Sequence, residues 1–148
     1  MTAARDPNFE ARVRASFGKQ KLMSTMRAAL ESVAPGEVDI RLPFREDLTQ
    51  QHGFLHAGTI AAVADSACGY AALSLMPADA GVLSIEFKVN MLAPAKGDAI
   101  VARGRVIRAG RTIMVCRADV LSIASGQEKL VAAMQGTMMV VSGRDLTD

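Results

Sequence analysis

An aspartate at position 65 stands inside a run of small and apolar residues. Ala61, Ala62, Ala64, Ala67 and Gly69 surround it, and no cation lies within one helical turn. A buried, unpaired carboxylate is costly, and such groups gather where a shifted pKa serves chemistry. Asp65 sits about eight positions past the start of the predicted helix, too deep to act as a cap. It reads as a catalytic carboxylate; the structural alternative is a carboxylate held by backbone or by an arginine from elsewhere in the chain. At the head of the same segment stand Ala57 and Gly58. The first turn of a helix has unpaired N–H groups and the positive end of the macrodipole. Small residues there let a substrate carbonyl use those donors as an oxyanion hole; the plainer reading is a tight turn. Just upstream, Gln50 could orient a water, hold a carbonyl or simply be solvated. The spacing His52-x-x-x-His56 suits a metal, but Gly53 interrupts any helix there and no third ligand is evident, so no metal is expected. His56 reads as a helix-entry residue hydrogen-bonded to backbone and, at that mouth, as a substrate-binding candidate.

Four arginines cluster on one strand and its turn. Arg103 and Arg105 share a face, as solvated residues do. Arg108 and Arg111 flank the turn, where they could grip a phosphate. Nucleic acid is not expected, because no aromatic residue interleaves with them and the net charge is only +2. Cys68 and Cys116 have no metal spacing and read as small core residues. No phosphate loop, dinucleotide fingerprint or Gly-x-Ser-x-Gly elbow occurs.

The 148 residues fit one domain, 1–148, of which 1–33 form a helical extension. Half are hydrophobic but only 4% aromatic, so the core must be aliphatic and methionine-rich. Phe9, Val13, Phe17, Leu22, Met26 and Leu30 recur at helical spacing, giving one helix or two broken near Gly18. Pro35-Gly36 marks a turn, and Val38, Ile40, Leu42 and Phe44 alternate as a strand. The segment from His56 to Met76 is apolar on nearly every face, as a helix buried all round must be. It is about long enough to span a membrane, but an aspartate at its middle would cost about 2.5–3.5 kcal/mol there. No membrane association is expected. With no apolar signal core over Met1–Arg14, the expected compartment is the reducing cytoplasm. Downstream, Leu83 to Met91 alternates with Ser84, Glu86, Lys88 and Asn90. Turns then separate strands near 99–108, 112–123 and 129–141. Short turns imply antiparallel neighbours. One antiparallel sheet of long strands and one helix dry on all sides combine best when the sheet curls around the helix. That is the hotdog fold, an α+β architecture. Its open edges call for a second copy, a homodimer or a dimer of dimers.

The stretch Gln50 to Asp65, with Ser84-Ile85-Glu86-Phe87-Lys88-Val89-Asn90 and Ala93-Pro94-Ala95, resembles the acyl-CoA thioesterases of the hotdog superfamily, in the phenylacetyl-CoA-pathway (PaaI-like) branch. The resemblance runs from about Ala34 to Val141. The family carries His-Gly-Gly at the helix start and an Asp eight residues after the first Gly; here these are His56-Ala57-Gly58 and Asp65. The resemblance implies hydrolysis of an acyl-CoA thioester, with Asp65 as nucleophile or general base and the Ala57 N–H as oxyanion donor. It also implies a hydroxyl from the partner subunit, at Ser84, beside the reacting carbonyl. No cofactor is implied, since coenzyme A is part of the substrate. Two departures stand out: Ala57 replaces the first glycine, and Gln50 stands where this branch has Asn. A related branch, the 4-hydroxybenzoyl-CoA type, has Gln at that spacing but Glu as its acid. The alternatives are a 3-hydroxyacyl-thioester dehydratase, pairing His52 or His56 with Asp65, and a non-catalytic acyl-CoA-binding module.

Overall fold

A computed structural model describes residues 3–143 and Leu146. Two helices open the chain, α1 (Phe9–Lys19) and α2 (Lys21–Met26), followed by strands β1 (Ala29–Ala34) and β2 (Glu37–Pro43). A long loop with a single 3₁₀ turn leads to α3 (Ala57–Leu73). Four strands complete the order: β3 (Ala80–Met91), β4 (Ala99–Ala109), β5 (Ile113–Ala124) and β6 (Gln127–Ser142). All six strands form one antiparallel sheet in the order β1-β2-β4-β5-β6-β3. The sheet curls around α3, as the hotdog fold requires.

One boundary agrees with the sequence reading and one differs. The two-helix alternative holds, with the break at Gln20, two residues past Gly18, in extended geometry between α1 and α2. The helical extension stops earlier than residue 33. Arg27 takes a left-handed conformation (φ 61°), and its N–H and that of Ala28 close back onto Ser24 and Met23 carbonyls, ending the helix as a left-handed C-terminal residue does. Residues 29–34 then pair with β2 as an edge strand whose Leu30 and Val33 pack on the core. Gly36 (φ 77°) makes the turn that follows.

The core explains why α3 is built of small residues. Val63, Ala64, Ala67, Cys68, Ala71 and Ala72 are fully buried against the concave face. The closest approach is at Gly104 on β4, where a Cβ would stand 2.3 Å from the Ala67 carbonyl oxygen. No side chain fits there. Both cysteines are free and buried; burial pushes the Cys116 thiol up to about 12 and raises Cys68 further. They are inert packing residues. The C-terminal end of α3 is held by α1: Arg12 donates to the carbonyls of Leu73 (2.8 Å), Met76 (3.0 Å) and Pro77. Leu73 closes α3 and the other two follow it; the Leu73 and Pro77 carbonyls also accept the Met76 and Ala80 N–H groups, so the guanidinium adds a second donor to the turn that ends the helix. No helix among the described residues is long and apolar enough to cross a membrane.

Candidate functional site

Asp65 lies in the middle of α3, half-buried, on the side of the helix that faces the start of β3. Ser84 Oγ donates to its Oδ1 at 2.9 Å. No ion pair to Asp65 occurs among the described residues. Burial raises its pKa above the ordinary carboxylate range, and the Ser84 hydrogen bond offsets part of that rise. The result is a carboxylate with one orienting donor and one edge open to a pocket, the state suited to a base or nucleophile.

Ser84 reaches Asp65 because of a β-bulge. Simple alternation would put Ser84 on the outer face with Glu86 and Lys88. Instead Ser84 pairs with the buried Met138, Glu86 pairs with Thr137, and Ile85 is the extra residue between them. The bulge leaves Ser84 on the helix side together with Val89, while Glu86 bonds outward-facing Thr137.

The N-terminus of α3 presents a second arrangement. His56 is its N-cap, and its Nδ1 accepts the Gly58 N–H at 2.8 Å. A Cβ at Gly58 would come within 3.0 Å of that ring nitrogen, so the cap needs glycine there. This corrects the reading of Gly58 as an oxyanion donor: its amide hydrogen is already used. The Ala57 N–H, by contrast, has no acceptor among the described residues. His56 is thus tied into the helix entry. Ala57 lines a cleft of about 390 Å³ with Gln50, Phe54, Ile60, Met91 and Leu92. The Gln50 Oε1 accepts the His52 N–H, which fixes the side chain, and no partner for its amide N–H₂ occurs among the described residues. That N–H₂ can hold a carbonyl.

The two arrangements do not meet within one chain. Asp65 and Ser84 line a separate pocket of about 140 Å³ with Gln20, Ser66, Gly69, Tyr70, Val82 and Met138. Eight residues of helix separate Ala57 from Asp65, about 12 Å along the axis, so no single carbonyl touches both.

Among the arginines, Arg103 pairs with Glu128 (2.6 Å) and Arg105 with Asp39 (2.6 Å) and Glu37 (3.4 Å). Arg108 and Arg111 are exposed and have no carboxylate partner among the described residues. No cluster of three or more His, Cys, Asp or Glu able to hold a metal ion occurs among the described residues. The sequence reading missed Gln20, Ser66 and Tyr70. They come together only through packing of α1 and α2 on α3, and the polar spacing Asp65, Ser66, Gly69, Tyr70 along one helix side was the available signal.

Comparison with known proteins identifies the family and the fold. The family profile described as the thioesterase superfamily matches residues 52–128. The human acyl-coenzyme A thioesterase 13 is 32% identical over 107 residues, covering 72% of this chain and 74% of its own. A thioesterase family protein from Silicibacter pomeroyi superposes with TM-score 0.90 at 45% identity, covering 91% of this chain and 99% of that one. The PaaI protein of the E. coli phenylacetic acid degradation operon shares the fold (TM-score 0.82, 19% identity, 92% and 95% coverage). A profile match across half the chain, with a close relative over nearly all of it, makes this protein a hotdog-fold member of the thioesterase superfamily.

Proposed function

We propose that the protein hydrolyses an acyl-CoA thioester to the free acid and coenzyme A, working as a homodimer with sites shared between the two chains. The observation that carries this reading is the pairing of a half-buried, unneutralised Asp65 with Ser84, in a family of thioester hydrolases. A thiolate leaves readily, because a thiol pKa is about 8.5, so the reaction needs a base or nucleophile and oxyanion stabilisation but no strong general acid. Asp65 supplies the first. The Ala57 N–H, with the Gln50 amide beside it, supplies the second from a helix N-terminus.

Dimerisation reconciles the 12 Å gap. The strand β3 is a sheet edge, and Leu83, Ile85, Phe87, Met91 and Leu92 along it are 42–54% exposed. An exposed apolar edge is a surface that a soluble chain covers. Its start carries Ser84, next to Asp65; its end carries Met91, in the Ala57 cleft. Two β3 strands paired antiparallel about a two-fold axis near Phe87 would bring the Asp65 pocket of each chain against the partner's Ala57. Each site then takes its carboxylate from one chain and its oxyanion donors from the other.

Arg108 and Arg111 are assigned to the coenzyme A phosphates. Their turn closes the row Ala109, Met114, Met138, Ser84 across the sheet, about 14 Å from Ser84 at three strand spacings. That separation suits an extended pantetheine arm. The free buried thiols suit a reducing cytoplasm. No cofactor takes part in the proposed reaction.

The test is thiol release from a panel of acyl-CoA esters. Wild-type protein should release thiol and Asp65→Asn should not, while keeping its fold and dimeric size. Near-normal release by Asp65→Asn would remove the carboxylate from the mechanism. A change in enoyl absorbance without thiol release would favour a dehydratase instead.

A further inference from the structure

The Asp65 pocket has a far wall that the reaction itself does not need. Starting from Asp65, the cavity follows α3 for about one turn, past Ser66 and Gly69 to Tyr70. It is closed there by Gln20, a residue of the N-terminal helices. Gln20 Oε1 accepts from Ser66 Oγ at 3.1 Å, and its Nε2 lies 3.4 Å from the Tyr70 hydroxyl, which Ser16 Oγ also approaches. The side chain points inward because Gln20 is the extended break between α1 and α2, serving as C-cap of one and N-cap of the other.

Gly69 is the second, independent observation. Glycine inside a helix is less favourable than alanine. On β4 the facing helix requires a glycine at Gly104, where a Cβ has no room. At Gly69 a Cβ would meet no atom within 4 Å. The open space beside it is the pocket itself. Lining that pocket, Gly69 enlarges it rather than permitting a close approach.

We propose that Gln20 and Gly69 are the specificity-determining residues of this site, Gln20 as the end wall and Gly69 as the floor that together set the length of the acyl group reaching Asp65. This rests on the reading of Asp65 as the reacting carboxylate. At about 140 Å³ the pocket offers roughly the space of one benzene ring, so straight acyl chains beyond about six carbons must displace Gln20.

The test is kcat/KM for thiol release along a series of saturated straight-chain acyl-CoA esters, using three variants. Gln20→Ser shortens the wall and keeps the α2 start, because serine is a favoured N-cap. Gln20→Met keeps the length and removes the hydrogen bonds. Gly69→Ala fills the floor and favours the helix, so its Tm should hold or rise. Gln20→Ser should move the optimum to longer chains and Gly69→Ala to shorter ones. Preference should change by about four-fold per methylene gained or lost. Gln20→Met should keep the wild-type profile. Uniform scaling of all chain lengths in Gln20→Ser or Gly69→Ala would overturn the assignment, as would a shifted optimum in Gln20→Met. Absence of thiol release by the wild-type protein from every ester would instead refute the hydrolase reading beneath it.

Discussion

Ala57→Pro removes one hydrogen atom that matters and very little else. Position 57 is the first residue of α3, where proline is preferred because its missing N–H would be unpaired in any case. The residue before a proline must be extended, and His56 already is, with φ −62° and ψ 140°. The His56 cap uses the Gly58 amide, which the substitution leaves in place. No hydrogen bond of the folded chain is lost, so stability should be unchanged or higher by about 0.4–1 kcal/mol from the stiffer unfolded chain. Catalysis should fare differently. Loss of one oxyanion donor costs about 10²–10³ in kcat, or about 2.7–4 kcal/mol, with the Gln50 amide remaining as the second donor. The assay is thiol release at saturating acyl-CoA, read beside Tm. Mixing Ala57→Pro with Asp65→Asn and allowing subunits to exchange gives a sharper result. If each site draws its carboxylate and its donor from different chains, half of the dimers regain one intact site, and about a quarter of wild-type activity returns. Full kcat in Ala57→Pro would refute the donor role. A mixture that stays as inactive as its parts would refute the shared site.

Asp65 gives a pH prediction. Its raised pKa places the acid limb of kcat/KM above the ordinary carboxylate range; Ser84→Ala, losing the bond that lowers it, should move that limb to higher pH, and an unmoved limb would separate Ser84 from the titration. The same shift has a stability sign. As pH rises from the unfolded to the folded pKa, the unfolded chain sheds a proton that the folded one keeps, so Asp65 lowers stability across that window. Asp65→Asn should therefore melt higher than wild type at neutral pH, with the gain fading in acid. Gly104→Ala must push β4 and α3 apart by at least 0.7 Å to bring a 2.3 Å contact to 3.0 Å. Because the atoms are backbone, the cost should reach about 3 kcal/mol, or about 10 °C in Tm by calorimetry; a change within about 2 °C would show that the helix does not sit where described. Arg108→Ala with Arg111→Ala should raise KM for CoA esters and leave short pantetheine thioesters little affected, and equal losses on both would exclude phosphate contact.

Much of the architecture was legible because the residues are one-sided in what they allow. A long segment apolar on every face leaves a sheet no choice but to surround it, and Asp65 was conspicuous as the lone acid within it. The strand β1 was not legible, because Leu22, Met26 and Leu30 continue a helical spacing through a left-handed stop at Arg27 that no local residue type announces. The choice between Ala57 and Gly58 as donor turned on which amide the His56 ring takes, a matter of cap geometry. Alternation along β3 put Ser84 on the wrong face, since one extra residue at Ile85 reverses the count. Gln20 was invisible for a different reason: its role exists only once two short helices have settled on a third.

The Arg12 guanidinium, holding three carbonyls some sixty residues downstream, makes the opening helix a stop against which α3 is seated lengthwise. A change in how α1 lies on the body would therefore be felt as a slide of α3 along its own axis. A slide of even a fraction of a turn would draw Asp65 out of register with Ser84, which belongs to the sheet and would stay behind. The seat of α1 and the position of the Asp65 carboxylate are thus linked through the length of one helix.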